Sequence, residues 1–160
     1  MCAQHASPSL SSAPSPDSTA TVTVDHVGIS VRDLEGLATF YGSVFSLTEE
    51  FRFTVEEAGL SAVVLRSDAG WGIELLHRAD STTPARWTSP DEAVRSQGLG
   101  HLCLRVTDDL DDLYERLLAA GGSPVVTPRI GPHPQVRMSY AADPEGNLIE
   151  MISFLEGFGS

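Results

Sequence analysis

Four residues have the types and the spacing to do chemistry together: His26, Glu74, His101 and Glu150. Each stands in a short apolar run: Val22-Thr-Val-Asp-His-Val-Gly-Ile-Ser-Val31, Trp71-Gly-Ile-Glu-Leu-Leu76, Leu99-Gly-His-Leu-Cys-Leu-Arg-Val106 and Asn147-Leu-Ile-Glu-Met-Ile152. A carboxylate in the middle of such a run is costly to bury unless something compensates it. Two Glu and two His can compensate one another by binding one divalent metal ion, for which carboxylate and imidazole are both ligands. A set of four such ligands leaves about two positions of an octahedral ion open to water or to two substrate oxygens. That arrangement suits removal of a proton next to a carbonyl, with a carboxylate as the base.

The spacing supports the grouping. His26 and Glu74 are 48 residues apart, and His101 and Glu150 are 49 apart. The surroundings repeat as well: Val27, Ile29 and Val31 precede Asp33-Leu34, and Leu102, Leu104 and Val106 precede Asp109-Leu110. A repeat of roughly 75 residues exceeds the period of a solenoid, usually about 20–50. It fits two copies of a half-domain.

The elements that must position these residues follow from periodicity. After the first run, Leu34, Leu37, Ala38, Tyr41, Val44 and Phe45 fall at helical spacing behind Asp33 as a cap. Strands are expected near 48–55, 60–67 and 71–77. The second half copies the order: a strand at 99–106, a helix with Leu110, Leu113, Tyr114, Leu117 and Leu118 on one face, its end at Gly121-Gly122, and strands near 123–127, 135–142 and 147–154. Each half therefore reads βαβββ. Strand parity places Val24, His26, Gly28 and Ser30 on one side and Val27, Ile29 and Val31 on the other. Leu99, His101, Cys103 and Arg105 likewise oppose Leu102, Leu104 and Val106. The apolar sides should pack on the helices, and the His sides should line a cavity. His77 has the parity opposite to Glu74 and is expected to be solvated.

Domain organisation is expected to be a disordered tail over 1–20, rich in Ser, Pro and Ala, then a single domain over 21–156. Within it, module one spans 21–77, a polar connection 78–98 and module two 99–156. Ser89-Pro90-Asp91-Glu92 in the connection has the form of a helix start, and Trp87 takes no role. The tail lacks the basic and apolar stretches of a secretory signal, and no run approaches the roughly 20 apolar residues of a membrane span. The formal charge is −12 with a pI near 4.6, which argues against nucleic acid and anionic membrane surfaces as partners. All ten basic residues are Arg, so Schiff-base chemistry on lysine is excluded. Two cysteines, Cys2 and Cys103, give no disulfide framework and point to a reducing, cytoplasmic setting.

The residues Asp25-His-Val-Gly-Ile-Ser-Val-Arg-Asp-Leu-Glu35, Phe40-Tyr41, Ile73-Glu-Leu-Leu76, Gly100-His101 and Asp143-Pro-Glu-Gly-Asn-Leu-Ile-Glu150 resemble the vicinal oxygen chelate superfamily. Its members include glyoxalase I, methylmalonyl-CoA epimerase, extradiol dioxygenases and bleomycin-resistance proteins. The resemblance covers about residues 22–154. It implies an α+β fold of two βαβββ modules forming a cupped mixed sheet, a homodimer, and one divalent metal per site (nickel, cobalt, zinc, manganese or iron). His26, Glu74, His101 and Glu150 would be the ligands. The leading activity is that of a lyase or isomerase acting by proton transfer next to a carbonyl of a small molecule, with Glu150 first and Glu74 second as the base. An iron(II) dioxygenase of extradiol type is an alternative, because Gly131-Pro-His133, Tyr140 and Asp143-Pro-Glu-Gly146 resemble that group's signature. Glu74 weighs against it by filling a position such enzymes leave open. A drug-sequestering binding protein is a further alternative. Arg105, His133, Arg137 and Tyr140 are the candidates for holding substrate.

Overall fold

Helix starts are set by side chains that satisfy the first free N–H groups. Asp33 accepts from Gly36 N at 3.0 Å and opens α1, Leu34–Phe45. Asp109 accepts from Asp111 N at 2.8 Å and Asp112 N at 3.2 Å and opens α3, Leu110–Ala119. Between them Ser89 caps the single turn α2, Pro90–Ala93, by accepting from Glu92 N at 3.1 Å, while the Glu92 carboxylate reaches back to Thr88 N at 2.8 Å. This is a computed structural model, and it describes residues 22–83 and 86–157. The tail expected over 1–20 lies outside the described residues.

The strands are β1 His26–Ser30, β2 Thr48–Val55, β3 Leu60–Arg66, β4 Gly72–Arg78, β5 Leu102–Arg105, β6 Ser123–Ile130, β7 Val136–Ala142 and β8 Leu148–Phe154. They form two four-stranded sheets of the same order, β1-β4-β3-β2 and β5-β8-β7-β6. In each, the first strand runs parallel to the last and the other pairs are antiparallel. The two expected βαβββ modules are therefore present, each a mixed sheet with one long helix.

Several boundaries differ from expectation. Strand one is His26–Ser30, and the strand expected at 99–106 is only Leu102–Arg105, so His101 stands one residue before it. Both are edge strands, and their ladders end where β4 and β8 begin. β6 extends to Ile130 despite Pro124 and Pro128, which an edge strand tolerates because one side of its backbone needs no partner. A 3-10 turn at Glu56–Ala58 links β2 to β3 and was not anticipated.

One core serves both modules. Leu37, Tyr41 and Val44 of α1 meet Leu113, Tyr114 and Leu117 of α3, with Val63, Ile73 and Leu75 from one sheet and Ile149 and Met151 from the other. The two helix-bearing faces share this core, and the opposite faces of both sheets point away from it. A second device joins the modules. In the β7–β8 turn Asp143, 1% exposed, accepts from Tyr41 OH of α1 at 2.8 Å, Asn147 Nδ2 at 2.7 Å, Asn147 N at 2.8 Å and Glu145 N at 2.9 Å. The Glu145 carboxylate accepts from Asp33 N at 2.7 Å and Arg32 N at 2.9 Å, at the start of α1. A turn of module two thus closes the first helix of module one.

Candidate functional site

In module one, β1 and β4 lie side by side with Gly28 opposite Glu74. His26 Nε2 is 3.5 Å from Glu74 Oε2, and His26 Nδ1 is 3.3 Å from Asp25 Oδ2. Asp25 is itself gripped by Arg66, whose Nη1 donates to Oδ1 at 2.9 Å. The Arg66 guanidinium first, and His26 second, hold the Asp25 carboxyl below its ordinary range. An imidazole whose Nδ1–H is donated to a carboxylate presents its Nε2 lone pair outward, the usual support for a metal-ligating histidine. A side chain at Gly28 would sit 3.6 Å from Glu74 Oε2 and 3.3 Å from Leu76 Cδ1. Glycine there keeps the space beside the carboxylate open. Apart from His26, Glu74 has no hydrogen-bond or ion-pair partner among the described residues.

Module two holds its carboxylate more tightly. Cys103, Glu150 and Tyr140 are neighbours across three strands. Tyr140 OH donates to Glu150 Oε1 at 2.6 Å, and His101 Nε2 is 3.0 Å from Glu150 Oε2. The His101 and Tyr140 rings meet edge to face with centroids 5.5 Å apart. Burial, and then the bond to Glu150, push the Tyr140 phenol well above its ordinary range. Partial burial and the Glu150 carboxylate push the Cys103 thiol up to about 12. Trp87 packs against a small cluster of Ala93, Tyr140 and Leu148. The connection therefore lies on the Glu150 face, a placement the sequence does not reveal because Trp87 belongs to no periodic element. Asp25 was missed as a support for His26, although its position next to the ligand candidate was the available signal.

The four ligand candidates form two His–Glu pairs, one on the outward face of each sheet. Among the described residues no group of three or more His, Cys, Asp or Glu is placed to hold an ion. Nor are the two Glu fully buried: their side chains are 20% and 17% exposed for Glu74 and Glu150.

The candidate substrate residues divide. Tyr140 is in the site. Arg105 shares the face of Glu150 but lies over the Phe154 ring, 4.4 Å from its centre. Arg137 is on the opposite face, paired with Asp111 of α3 at 2.7 Å. His133 is in the β6–β7 turn, where its Nδ1 accepts from Gln135 N at 3.3 Å, three residues before the start of the strand that carries Tyr140. His77, expected to be solvated, is partly buried with Nδ1 3.1 Å from the Val31 carbonyl. A cavity of about 360 Å³ opens at the module junction, lined by Ser30, Arg32, Arg86, Trp87, His101 and Glu145 among others. It touches only one of the four ligand candidates.

A family model described as the glyoxalase/bleomycin resistance protein/dioxygenase superfamily matches residues 23–151. Among solved structures, a glyoxylase/bleomycin resistance protein/dioxygenase domain from Frankia sp. EAN1pec is 24% identical, with 86% of this chain and 96% of that chain covered and a TM-score of 0.70. A glyoxalase family protein from Bacillus cereus is 21% identical over 88% of this chain and 99% of that one, with a TM-score of 0.70. Glyoxalase I from Zea mays is 19% identical over 83% of this chain and 45% of the longer maize chain, with a TM-score of 0.67. At these identities the structures report the fold alone. No curated protein matches.

Proposed function

Because the chain belongs to the glyoxalase/bleomycin resistance protein/dioxygenase superfamily, we propose that it is a divalent-metal-dependent lyase or isomerase acting on a small molecule by proton transfer next to a carbonyl. The observation that carries this reading is the duplicated His–Glu pair, one on the outward face of each module. The donor set fits a metal ion. Two imidazole Nε2 atoms each lie beside a carboxylate oxygen, and His26 is backed by Asp25 in the way ligating histidines are. His26, Glu74, His101 and Glu150 would hold the ion, which when bound supplies positive charge that stabilises an oxyanion developing on the substrate.

Each chain carries two half-sites on separate faces, so the reading includes a homodimer. A twofold axis would bring His26 and Glu74 of one protomer to His101 and Glu150 of its partner, giving two equal sites. A cytoplasmic location goes with this reading, since the free Cys103 stays reduced there. No helix among the described residues is long and apolar enough to cross a membrane.

The roles of the carboxylates follow from what restrains them. Glu150 is held on both oxygens, by Tyr140 and His101, and suits a fixed ligand. Among the described residues Glu74 meets only His26, at 3.5 Å, with glycine beside it, and suits the group that swings to take a proton. The tether thus puts Glu74 ahead of Glu150 as base, the reverse of the order implied by resemblance. Glu74 would accept the proton from a hydroxyl-bearing carbon next to the carbonyl as the C–H electron pair shifts toward the carbonyl oxygen, then return it to the former carbonyl carbon. The hydroxyl proton passes to that carbon's oxygen, and the hydroxyl carbon becomes the new carbonyl. The dioxygenase alternative draws on Tyr140 but finds His133 in the hairpin turn.

The test is a panel of 2-oxoaldehyde thiol adducts, acyl-CoA esters and catechols, turned over in deuterated water by metal-reconstituted protein. Solvent deuterium at the carbon next to the carbonyl is expected, and Glu74→Gln should abolish it while retaining more metal than a variant lacking both Glu. Oxygen consumption with a catechol and no deuterium incorporation would refute the proposal.

A further inference from the structure

β2 is the outer strand of the first sheet, and its two faces differ sharply. Arg52 points to the helix side, where its guanidinium pairs with Glu35 of α1 at 2.9 Å and with Glu49 at 2.7 Å. Phe51, Phe53 and Val55 alternate with it and occupy the other face. They remain 50%, 36% and 38% exposed. The register puts Phe51 opposite Val64, Val64 opposite Glu74 and Glu74 opposite Gly28. Phe53 is likewise opposite Ala62, and Ala62 opposite Leu76. Directly paired residues in a sheet share a face. The two phenyl rings, 6.2 Å apart and inclined by 30°, therefore stand on the face of His26 and Glu74. They are two strands from Glu74, or about 10 Å at the ordinary strand spacing.

The fold does not require aromatic residues there. At the corresponding row of the second module, Glu150 is opposite Tyr140 and Tyr140 opposite Val126; in the next row Ile152 is opposite Met138 and Met138 opposite Arg129. The duplicate thus places Val126 and Arg129 where module one has Phe51 and Phe53. Two exposed phenyl rings beside small buried side chains, Ala62 at 1% and Val64 at 2% exposed, make an apolar shelf leading away from the Glu74 carboxylate.

We propose that Phe51 and Phe53 are specificity-determining residues, and that the substrate is a small carbonyl compound whose chelating oxygens sit at the His–Glu centre while an aromatic or bulky apolar arm lies on this shelf. The proposal rests on the metal-centred reading above. A span of about 10 Å accommodates a ring joined to the chelating carbons directly or through one or two bonds. Burial of such an arm against phenyl rings favours it over a methyl group.

Hydroxamates test this, since they chelate through two adjacent oxygens. Calorimetry with the full chain reconstituted with nickel(II) would compare acetohydroxamate, which has no arm, with benzohydroxamate. For the native sequence benzohydroxamate is expected to bind about tenfold more tightly, the scale of one buried aromatic contact. In Phe51→Ala/Phe53→Ala that preference should collapse while acetohydroxamate affinity and metal content stay unchanged. Phe51→Leu/Phe53→Leu, which preserves apolar bulk, should retain part of it and serves if the alanine variant folds poorly. An unchanged preference in both variants overturns the proposal. So does a change of oligomeric state in sedimentation without a change of preference, since the shelf would then be covered by a second protein chain. If acetohydroxamate itself fails to bind the nickel-loaded native protein, the metal-centred reading fails and the proposal falls with it.

Discussion

The two carboxylates at the heart of the site differ in what restrains them, and the difference is one phenol. Tyr140 is 7% exposed and gives its hydroxyl hydrogen to Glu150 at 2.6 Å. Among the described residues Glu74 has no such donor. Removing the hydroxyl in Tyr140→Phe leaves the ring packing intact but frees one Glu150 oxygen. Outer partners of ligating groups are commonly worth about 10–100-fold in metal affinity, so competition against a chelating dye should show metal binding weakened by about tenfold. An unchanged affinity would remove Tyr140 as a positioning residue. Gly28 offers the complementary change. Gly28→Ala places a methyl group 3.6 Å from Glu74 Oε2 and 3.3 Å from Leu76 Cδ1. It should leave the thermal midpoint within a few degrees, the cost of a small shift in Leu76 being roughly 1 kcal/mol, yet lower turnover by restricting Glu74. Equal turnover in the variant would show that Glu74 does not need that space.

At the scale of elements, the β7–β8 turn is the joint that sets module two against module one. Tyr41→Phe removes the donor of a bond to a buried carboxylate, a loss of about 1–3 kcal/mol. For a chain of this size roughly 2–4 °C of thermal midpoint accompanies each kcal/mol, which scanning calorimetry resolves. Glu145→Ala strips the start of α1 of its acceptor and should act in the same direction. If both are silent, the shared apolar core alone holds the modules together. Gly122→Ala is a sharper steric test. The added carbon would overlap Leu117 Cδ2 and approach the Ala142 carbonyl to 2.9 Å. It should cost about 1–3 kcal/mol, as overpacking usually does, and lower the yield of folded protein.

For the molecule as a whole, the decisive fact is that one chain turns its two His–Glu pairs outward on different sheets. If each site is shared between protomers, a chain lacking His26 and Glu74 and a chain lacking His101 and Glu150 should each bind no metal at the site, yet complement one another. Random reassortment makes half the dimers mixed, each with one intact site, so the mixture should recover about a quarter of the native metal content and turnover. No recovery after reassortment, with both variants folded, would place the whole site within one chain. The exposed Val24 and Leu99, at 76% and 77%, lie just before His26 and His101 and give the same shared arrangement apolar surface to cover.

Residue type and period alone carried a good part of this molecule. The caps Asp33, Asp109 and Ser89 are local, each satisfying N–H groups two to three residues away, so their helices could be read from the chain. The duplication grouped His26, Glu74, His101 and Glu150. Strand parity set the His26 and His101 sides apart from the apolar sides expected to meet the helices, because alternation along a strand is a property of the backbone itself; it did not say which faces carry Glu74 and Glu150. Several features lay beyond that reach. Strand order decides that Tyr140 lies beside Glu150 and that Phe51 shares a row with Glu74, and no local spacing encodes which strands are neighbours. Arg137 shows the same limit, since only the packing of α3 on β7 delivers it to Asp111. The outward turn of both His–Glu pairs comes from the two helix-bearing faces burying each other in one core, a choice made by the apolar surface of the whole chain and not by any residue in the site.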